Sequence, residues 1–110
     1  MTRVLINRNR QGRIVAFESS GHADPRSRKG NDIYCAAISA ILQTAVIALS
    51  EYARVQIRQE TADGYLDCEL LNQADADRED VRAILEGMYL GLVSFSKENG
   101  KFIKLLEEVL

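Results

Sequence analysis

Two side chains in this sequence combine the chemistry of nucleophilic catalysis with a placement that favours it: Cys35 and His22, the only histidine. A thiol attacks well only as a thiolate, and an unperturbed cysteine, with a pKa of about 8.5, is mostly protonated near neutral pH. Cys35 falls in the first turn of an apolar stretch suited to a helix, where a partial positive charge and free backbone amides favour an anion. His22 falls in the irregular segment before it, from which an imidazole can take the thiol proton. The same free amides could hold the oxyanion that develops when a thiolate attacks a peptide carbonyl. A plainer reading stands beside this one. A cysteine in an apolar helix is often a small core residue, and a lone loop histidine is often merely solvated. Spacing by itself does not decide between them.

The neighbours of the pair carry their own alternatives. Asp32 is placed to cap the helix that presents Cys35, and it is also a candidate third member of a triad orienting His22. Its position three residues before the cysteine suits the cap better. Ser39 is one turn beyond Cys35 on the same helix face; it either hydrogen-bonds within the site or bonds back to a helix carbonyl, and the second is favoured. Gly21 and Gly30 flank a segment whose backbone they leave free to open and close. Arg26, Arg28 and Lys29 make that segment basic, as a solvated loop or as an attraction for an acidic partner. Cys68 sits between Asp67 and Glu69 and is expected to pack inward. A zinc site from His22, Cys35 and Cys68 matches no zinc spacing, and Cys35 has no nearby resolving cysteine for redox work. The chemistry calls for no cofactor and no metal.

These residues need elements to hold them. Residues 2–8 alternate and read as a strand, with a polar turn and a hairpin partner over 13–19 in which Val15 and Phe17 share a face. Residues 20–31, SGHADPRSRKGN, have no period and contain the only proline, which marks a long loop. Asp32 opens a helix expected over 33 to about 52, apolar almost all round, so that a sheet, a second helix and another subunit are candidates to cover it. Residues 54–61 and 65–71 read as a hairpin around Asp63-Gly64. Residues 72–78 are an acidic connection, and Val81, Ile84, Leu85, Met88, Leu92 and Phe95 predict a helix over about 77–98, with Gly100 at its C-terminal cap. The tail is ambiguous, with a strand from near Phe102 favoured. The fold class is α+β, a single domain over 1–110, strand-strand-helix-strand-strand-helix-strand, with antiparallel hairpins packed around a central apolar helix.

Composition limits the partners. Hydrophobic residues make up 46% and charged residues 27%, the balance of an ordinary globular domain. A net charge of −2 gives no basic field for direct nucleic-acid binding. Two cysteines are too few for a disulfide scaffold, and the start of the chain lacks the order of a signal peptide. The apolar stretch 33–49 is interrupted by Ser39, Gln43 and Thr44 and falls short of the ~20 residues of a membrane span. The expectation is a cytoplasmic protein with reduced thiols and no membrane partner.

The words around the pair add a resemblance. Gly21-His22-Ala23, followed by Gly30-Asn31-Asp32-Ile33-Tyr34-Cys35-Ala36-Ala37-Ile38-Ser39, resembles the signature of the ribosomal-processing cysteine protease family, Prp: Gly-His-Ala, a variable loop, then Gly-x-Asp-x-x-Cys-Ala-Ala-x-Ser. Size and element order agree over nearly the whole chain. Tyr34 departs from the Val common at that position, and LLEEVL runs past the usual ending. The resemblance implies an endopeptidase that removes a short N-terminal extension from a large-subunit ribosomal protein precursor, cutting after a pair of aromatic residues. It implies Cys35 as nucleophile, His22 as general base, a homodimer, and a loop over 23–31 (here including Ala23, Asp24 and Gly30, with Gly21 at its base) that rearranges around the peptide. A hydrophobic groove beside the loop is expected to accept the aromatic pair. The competing reading is a non-catalytic, ribosome-associated dimer that holds a peptide.

Overall fold

The structure is a computed structural model that describes residues 1–21 and 32–110. Alternating apolar residues set its first layer. Strand β1 (Thr2–Arg8) turns Val4 and Ile6 to one face, and β2 (Ile14–Ser20) pairs with it antiparallel, Ile6 opposite Phe17. A register shift at Asn7/Arg8 lets β2 bury both Ile14 and Val15. In the connecting turn, Asn9 Oδ1 accepts the amides of Gln11 and Arg13 at 3.0 Å, and Gly12 takes φ +83°.

The second hairpin forms around Asp63-Gly64, with Gly64 at φ +69°. It joins β3 (Ile57–Ala62) to β4 (Tyr65–Leu70), and β4 pairs antiparallel with β2. β3 starts later than the alternation suggests. A π-helical turn (Ala48–Tyr52) follows the first helix, Arg54 takes φ +57°, and Val55 is drawn into the core with its amide on the carbonyl of Leu49. The last strand, β5 (Ile103–Val109), starts one residue beyond Phe102 and pairs with β1 in parallel along its whole length. The sheet order is therefore β3-β4-β2-β1-β5, mixed rather than wholly antiparallel. The residues that overrun the family's usual ending make up most of β5.

Two helices cover one face of this sheet. α1 (Ile33–Ile47) contributes Ile38, Leu42, Ala45 and Val46 to the core, and α2 (Glu79–Glu98) contributes Val81, Leu85, Met88 and Leu92 to the same cluster. Phe17 and Ile6 lie at the centre of that cluster, where truncating Phe17 to Ala would cost about 3–5 kcal/mol. α2 begins at Glu79, because a 3-10 turn (Gln73–Asp77) capped by Asn72 takes up the end of the acidic connection and buries Ala76. It ends on Asn99, whose amide and side chain both donate to the carbonyl of Phe95; Gly100 follows without a left-handed φ.

The sheet and α2 cover only part of α1. Ile33 is 71% and Ile47 54% exposed, and between α1 and α2 runs an apolar trough of about 530 Å³ lined by Ala40, Ile41, Thr44, Ile84, Gly87 and Met88. With its π turn the helical segment reaches 20 residues at mean hydropathy 1.9, so length and composition would allow a membrane span. Packing argues the other way: Ile38, Leu42, Ala45 and Leu49 are committed to a sheet whose other face carries Arg58, Glu60, Asp67, Glu69 and Lys104.

One charged cluster fastens the parallel pair to α2. The Arg8 guanidinium forks onto Glu86 at 2.7 and 3.2 Å, donates to Glu107 at 2.8 Å and lies 4.8 Å over the Tyr89 ring. Tyr89 in turn donates to Glu107 at 2.7 Å. The bond from Arg8 first, then that from Tyr89, holds the Glu107 carboxyl below the usual carboxylate range.

Candidate active site

Asp32 sits where the chain enters α1, in extended conformation, and its Oδ1 accepts the amides of Tyr34 and Cys35 at 3.0 Å each. The residue is 8% exposed, so this cap is shielded from water. The amide of Ala36 is taken as well, by the Asp32 carbonyl at 3.0 Å. This corrects one expectation from sequence. The amides of Tyr34, Cys35 and Ala36 are occupied by Asp32 and are not open to an oxyanion. Asp32 caps the helix through Oδ1, and His22, which the triad reading would pair with it, lies outside the described residues.

Cys35 is half-buried at the start of α1 and lines a small pocket of about 110 Å³ with Thr2, Ser39, Gln43, Thr61 and Tyr65. The pocket lies where α1 meets the β3–β4 hairpin and the start of β1. Tyr34, beside the cysteine, stacks on Phe102 with ring centroids 3.8 Å apart and planes 9° apart, which ties the first turn of α1 to the entrance of β5.

Ser39 lines the same pocket, but it does not bond back to the helix as expected. Its Oγ accepts from Gln43 Nε2 at 2.8 Å. Two other hydroxyls on helices of this chain behave in the ordinary way: Thr44 Oγ1 donates to the Ala40 carbonyl at 2.6 Å and Ser96 Oγ to that of Val93 at 3.0 Å. Gln43 was not singled out from sequence, although Cys35, Ser39 and Gln43 recur at intervals of four and so share a face.

Gly21 anchors the segment that leads to His22. Its φ is +91°, its amide donates to the Gly64 carbonyl at 2.8 Å, and a Cβ there would stand 2.8 Å from the Met1 carbonyl oxygen. A side chain is excluded both by conformation and by space. The turn that closes the β3–β4 hairpin thus also seats the base of the histidine segment. His22, Ala23, Asp24 and Gly30 lie outside the described residues.

Cys68 packs inward on β4, 2% exposed. Burial, with the neighbouring Asp67 carboxylate adding to it, pushes its thiol up to about 12. On the opposite face of β4, Asp67 accepts from Tyr65 at 2.5 Å and from Arg58 at 2.8 Å, and the bond to Asp67 raises the Tyr65 phenol to about 12. Among the described residues no three His, Cys, Asp or Glu side chains come together to hold a metal.

A thiol on a capped first turn, facing a pocket where helix and sheet meet, is an arrangement that nucleophilic cysteine chemistry can use. A model of the cysteine protease Prp family matches residues 1–104; the chain belongs to that family and is a cysteine protease. Its structure resembles that of the essential ribosomal processing protease Prp from S. aureus with a covalently linked product peptide: TM-score 0.87, 26% identity, 98% of this chain and 100% of that one. The same S. aureus protease with a substrate peptide gives a TM-score of 0.84 at 25% identity, again over 98% and 100% of the two chains. SMU.848 from Streptococcus mutans gives 0.82 at 26% identity, over 100% of this chain and 96% of that one. No curated protein matches the chain.

Proposed function

We propose that this protein is an endopeptidase that removes the N-terminal extension of a large-subunit ribosomal protein in the cytoplasm, with Cys35 as nucleophile and His22 as base. The observation that carries this reading is the placement of Cys35 on the capped first turn of α1, open to a pocket, in a chain that shares its fold with a ribosomal processing protease holding a covalently linked product peptide. In the first step His22 takes the thiol proton, the Cys35 sulfur bonds to the peptide carbonyl carbon and the carbonyl electron pair moves to oxygen. Collapse reforms the carbonyl and breaks the C–N bond, His22 giving its proton to the departing amine; water then hydrolyses the thioester. The resemblance supports cleavage after two aromatic residues. The pocket beside Cys35 is small, about 110 Å³.

The same reading includes a homodimer. The apolar trough between α1 and α2, with Ile33, Ile47 and Leu90 exposed around it, is the surface a second copy would cover.

The test is incubation of the protein, and of its Cys35→Ser form, with a ribosomal-protein precursor that carries its extension, under reducing conditions. The wild type is expected to release the extension and the variant to leave the precursor intact. A precursor left whole but bound by the wild type supports the peptide-holding alternative, and cleavage by Cys35→Ser removes Cys35 from the role of nucleophile.

A further inference from the structure

Among the described residues, the bonding at the start of α1 takes up three amides next to Cys35, and it leaves one hydroxyl without an ordinary helical partner. The amides of Tyr34, Cys35 and Ala36 all point at Asp32. Ser39 lines the Cys35 pocket one helical turn on, accepts a hydrogen bond from Gln43, and makes no hydrogen bond to a helix carbonyl, in contrast to Thr44 and Ser96. A hydroxyl that accepts one bond still has its own proton to donate. We propose that the Ser39 O–H is the side-chain donor to the oxyanion formed when Cys35 attacks, and that Gln43 is the positioning residue that turns Ser39 away from the helix backbone and toward the pocket. The inference rests on the protease reading with Cys35 as nucleophile.

The step is a change of hydrogen bonding and not a proton transfer. As the C–S bond forms and the carbonyl pair moves to oxygen, the negative oxygen accepts from Ser39, and the bond loosens again when the C–N bond breaks. A donor aimed where charge develops acts on the transition state, so it raises kcat with little effect on substrate binding. Gln43 is exposed, and its contribution passes through a single hydrogen bond.

The test is a double-mutant cycle on cleavage of a precursor peptide. Ser39→Ala is expected to lower kcat about 100-fold with KM within about twofold, the scale of losing one oxyanion donor. Gln43→Ala is expected to lower kcat about 3- to 10-fold in the wild type and by less than about twofold in Ser39→Ala, because its effect runs through Ser39. Ser39→Thr, which keeps the hydroxyl, should recover most of the loss. A second readout does not need turnover: a peptide aldehyde that forms a thiohemiacetal with Cys35 should bind Ser39→Ala more weakly by a factor comparable to the kcat loss, while the matching peptide amide binds both forms alike. Iodoacetamide should alkylate Cys35 at the same rate in every form, which separates oxyanion binding from damage to the nucleophile. Wild-type kcat in Ser39→Ala, equal aldehyde affinity, or independent losses at Ser39 and Gln43 would each overturn the proposal. Failure of the wild type to cleave any precursor overturns the protease reading instead, and the aldehyde comparison still reports on Ser39.

Discussion

At the scale of single residues, the two cysteines are chemically unlike although the sequence offers both as thiols. Cys68 has its ionisation pushed up to about 12 by burial, whereas Cys35 is half-buried and opens on a pocket. Native protein at pH 8 is therefore expected to take one iodoacetamide adduct, at Cys35, and a second only after denaturation; mass spectrometry of digested protein reads both. The raised pKa of Cys68 also has a sign for stability. Its folded value lies above the unfolded value of about 8.5, so the contribution is whole below that pH and is lost as pH rises toward 12. Chemical denaturation across that window should show a decline in stability that Cys68→Ala, for all its packing cost, makes shallower. Asp32 can be tested in the same way. Asparagine also caps a helix, so Asp32→Asn should keep stability within a few tenths of a kcal/mol, while Asp32→Ala should lose about 1 kcal/mol. Cleavage activity retained in Asp32→Asn would fit a cap, and a loss of several orders of magnitude with the fold intact would make Asp32 a partner of His22. The types and spacing of Cys35, His22, Asp32 and Ser39 were readable in the sequence. The occupied amides were not, because a capping carboxylate and an oxyanion compete for the same donors and only the folded geometry shows which has them.

At the scale of elements, two glycines with nearly the same backbone conformation should respond differently to substitution. Gly12 is at φ +83° with open space around it, and Gly21 is at φ +91° with the Met1 carbonyl 2.8 Å from where a Cβ would be. Gly12→Ala should cost about 1–2 kcal/mol of backbone strain and leave catalysis unchanged. Gly21→Ala adds displacement of β1's start and of the segment carrying His22, so it should lower both melting temperature and kcat. Equal effects of the two substitutions on kcat would separate Gly21 from the site. The Arg8 cluster supplies a pH test. Glu107 has its pKa lowered in the folded state, so its contribution is present above the usual carboxylate value and is lost as pH falls through the lowered one. Because its side chain is 43% exposed, solvent screens the pair and the effect should be small and weaken further in high salt. Glu107→Gln should remove part of the acid destabilisation seen in urea titrations between about pH 5 and pH 3. Local pattern disclosed both hairpins, because alternation and an Asp-Gly turn are short-range signals. It did not disclose that β5 joins β1 in parallel, since that pairing links chain ends about a hundred residues apart and no short-range pattern records it. Nor did it show where β3 begins, which the π turn and the left-handed Arg54 decide.

At the scale of the whole molecule, the question is what covers α1. The sequence made this helix apolar almost all round, and the fold buries only the side that meets the sheet and α2. The remaining apolar surface includes the trough between α1 and α2, and Ile33, Ile47 and Leu90 on the same two helices are exposed. A stripe of that kind in water has a free-energy cost on the order of 25 cal/mol for each Å² left uncovered, which a second copy related by a twofold axis would remove. The trough is lined by small residues (Ala40, Ala45, Ala48, Gly87 and Gly91), so helices of two subunits could approach closely there. A dimer built on this face predicts that Ile47→Lys together with Leu90→Lys shifts sedimentation from twice the chain mass to once, with the circular dichroism of the fold retained. Placement of Cys35 on the same helix makes a further claim. If the partner steadies α1, the monomeric variant should cleave slowly at every concentration and the wild type should lose cleavage as it is diluted, while a single charge on the opposite, polar face of the sheet, such as Glu60→Lys, should change neither mass nor rate. Wild-type protein that sediments as a monomer at micromolar concentration and cleaves at full rate would sink the dimer and leave the apolar face without this explanation.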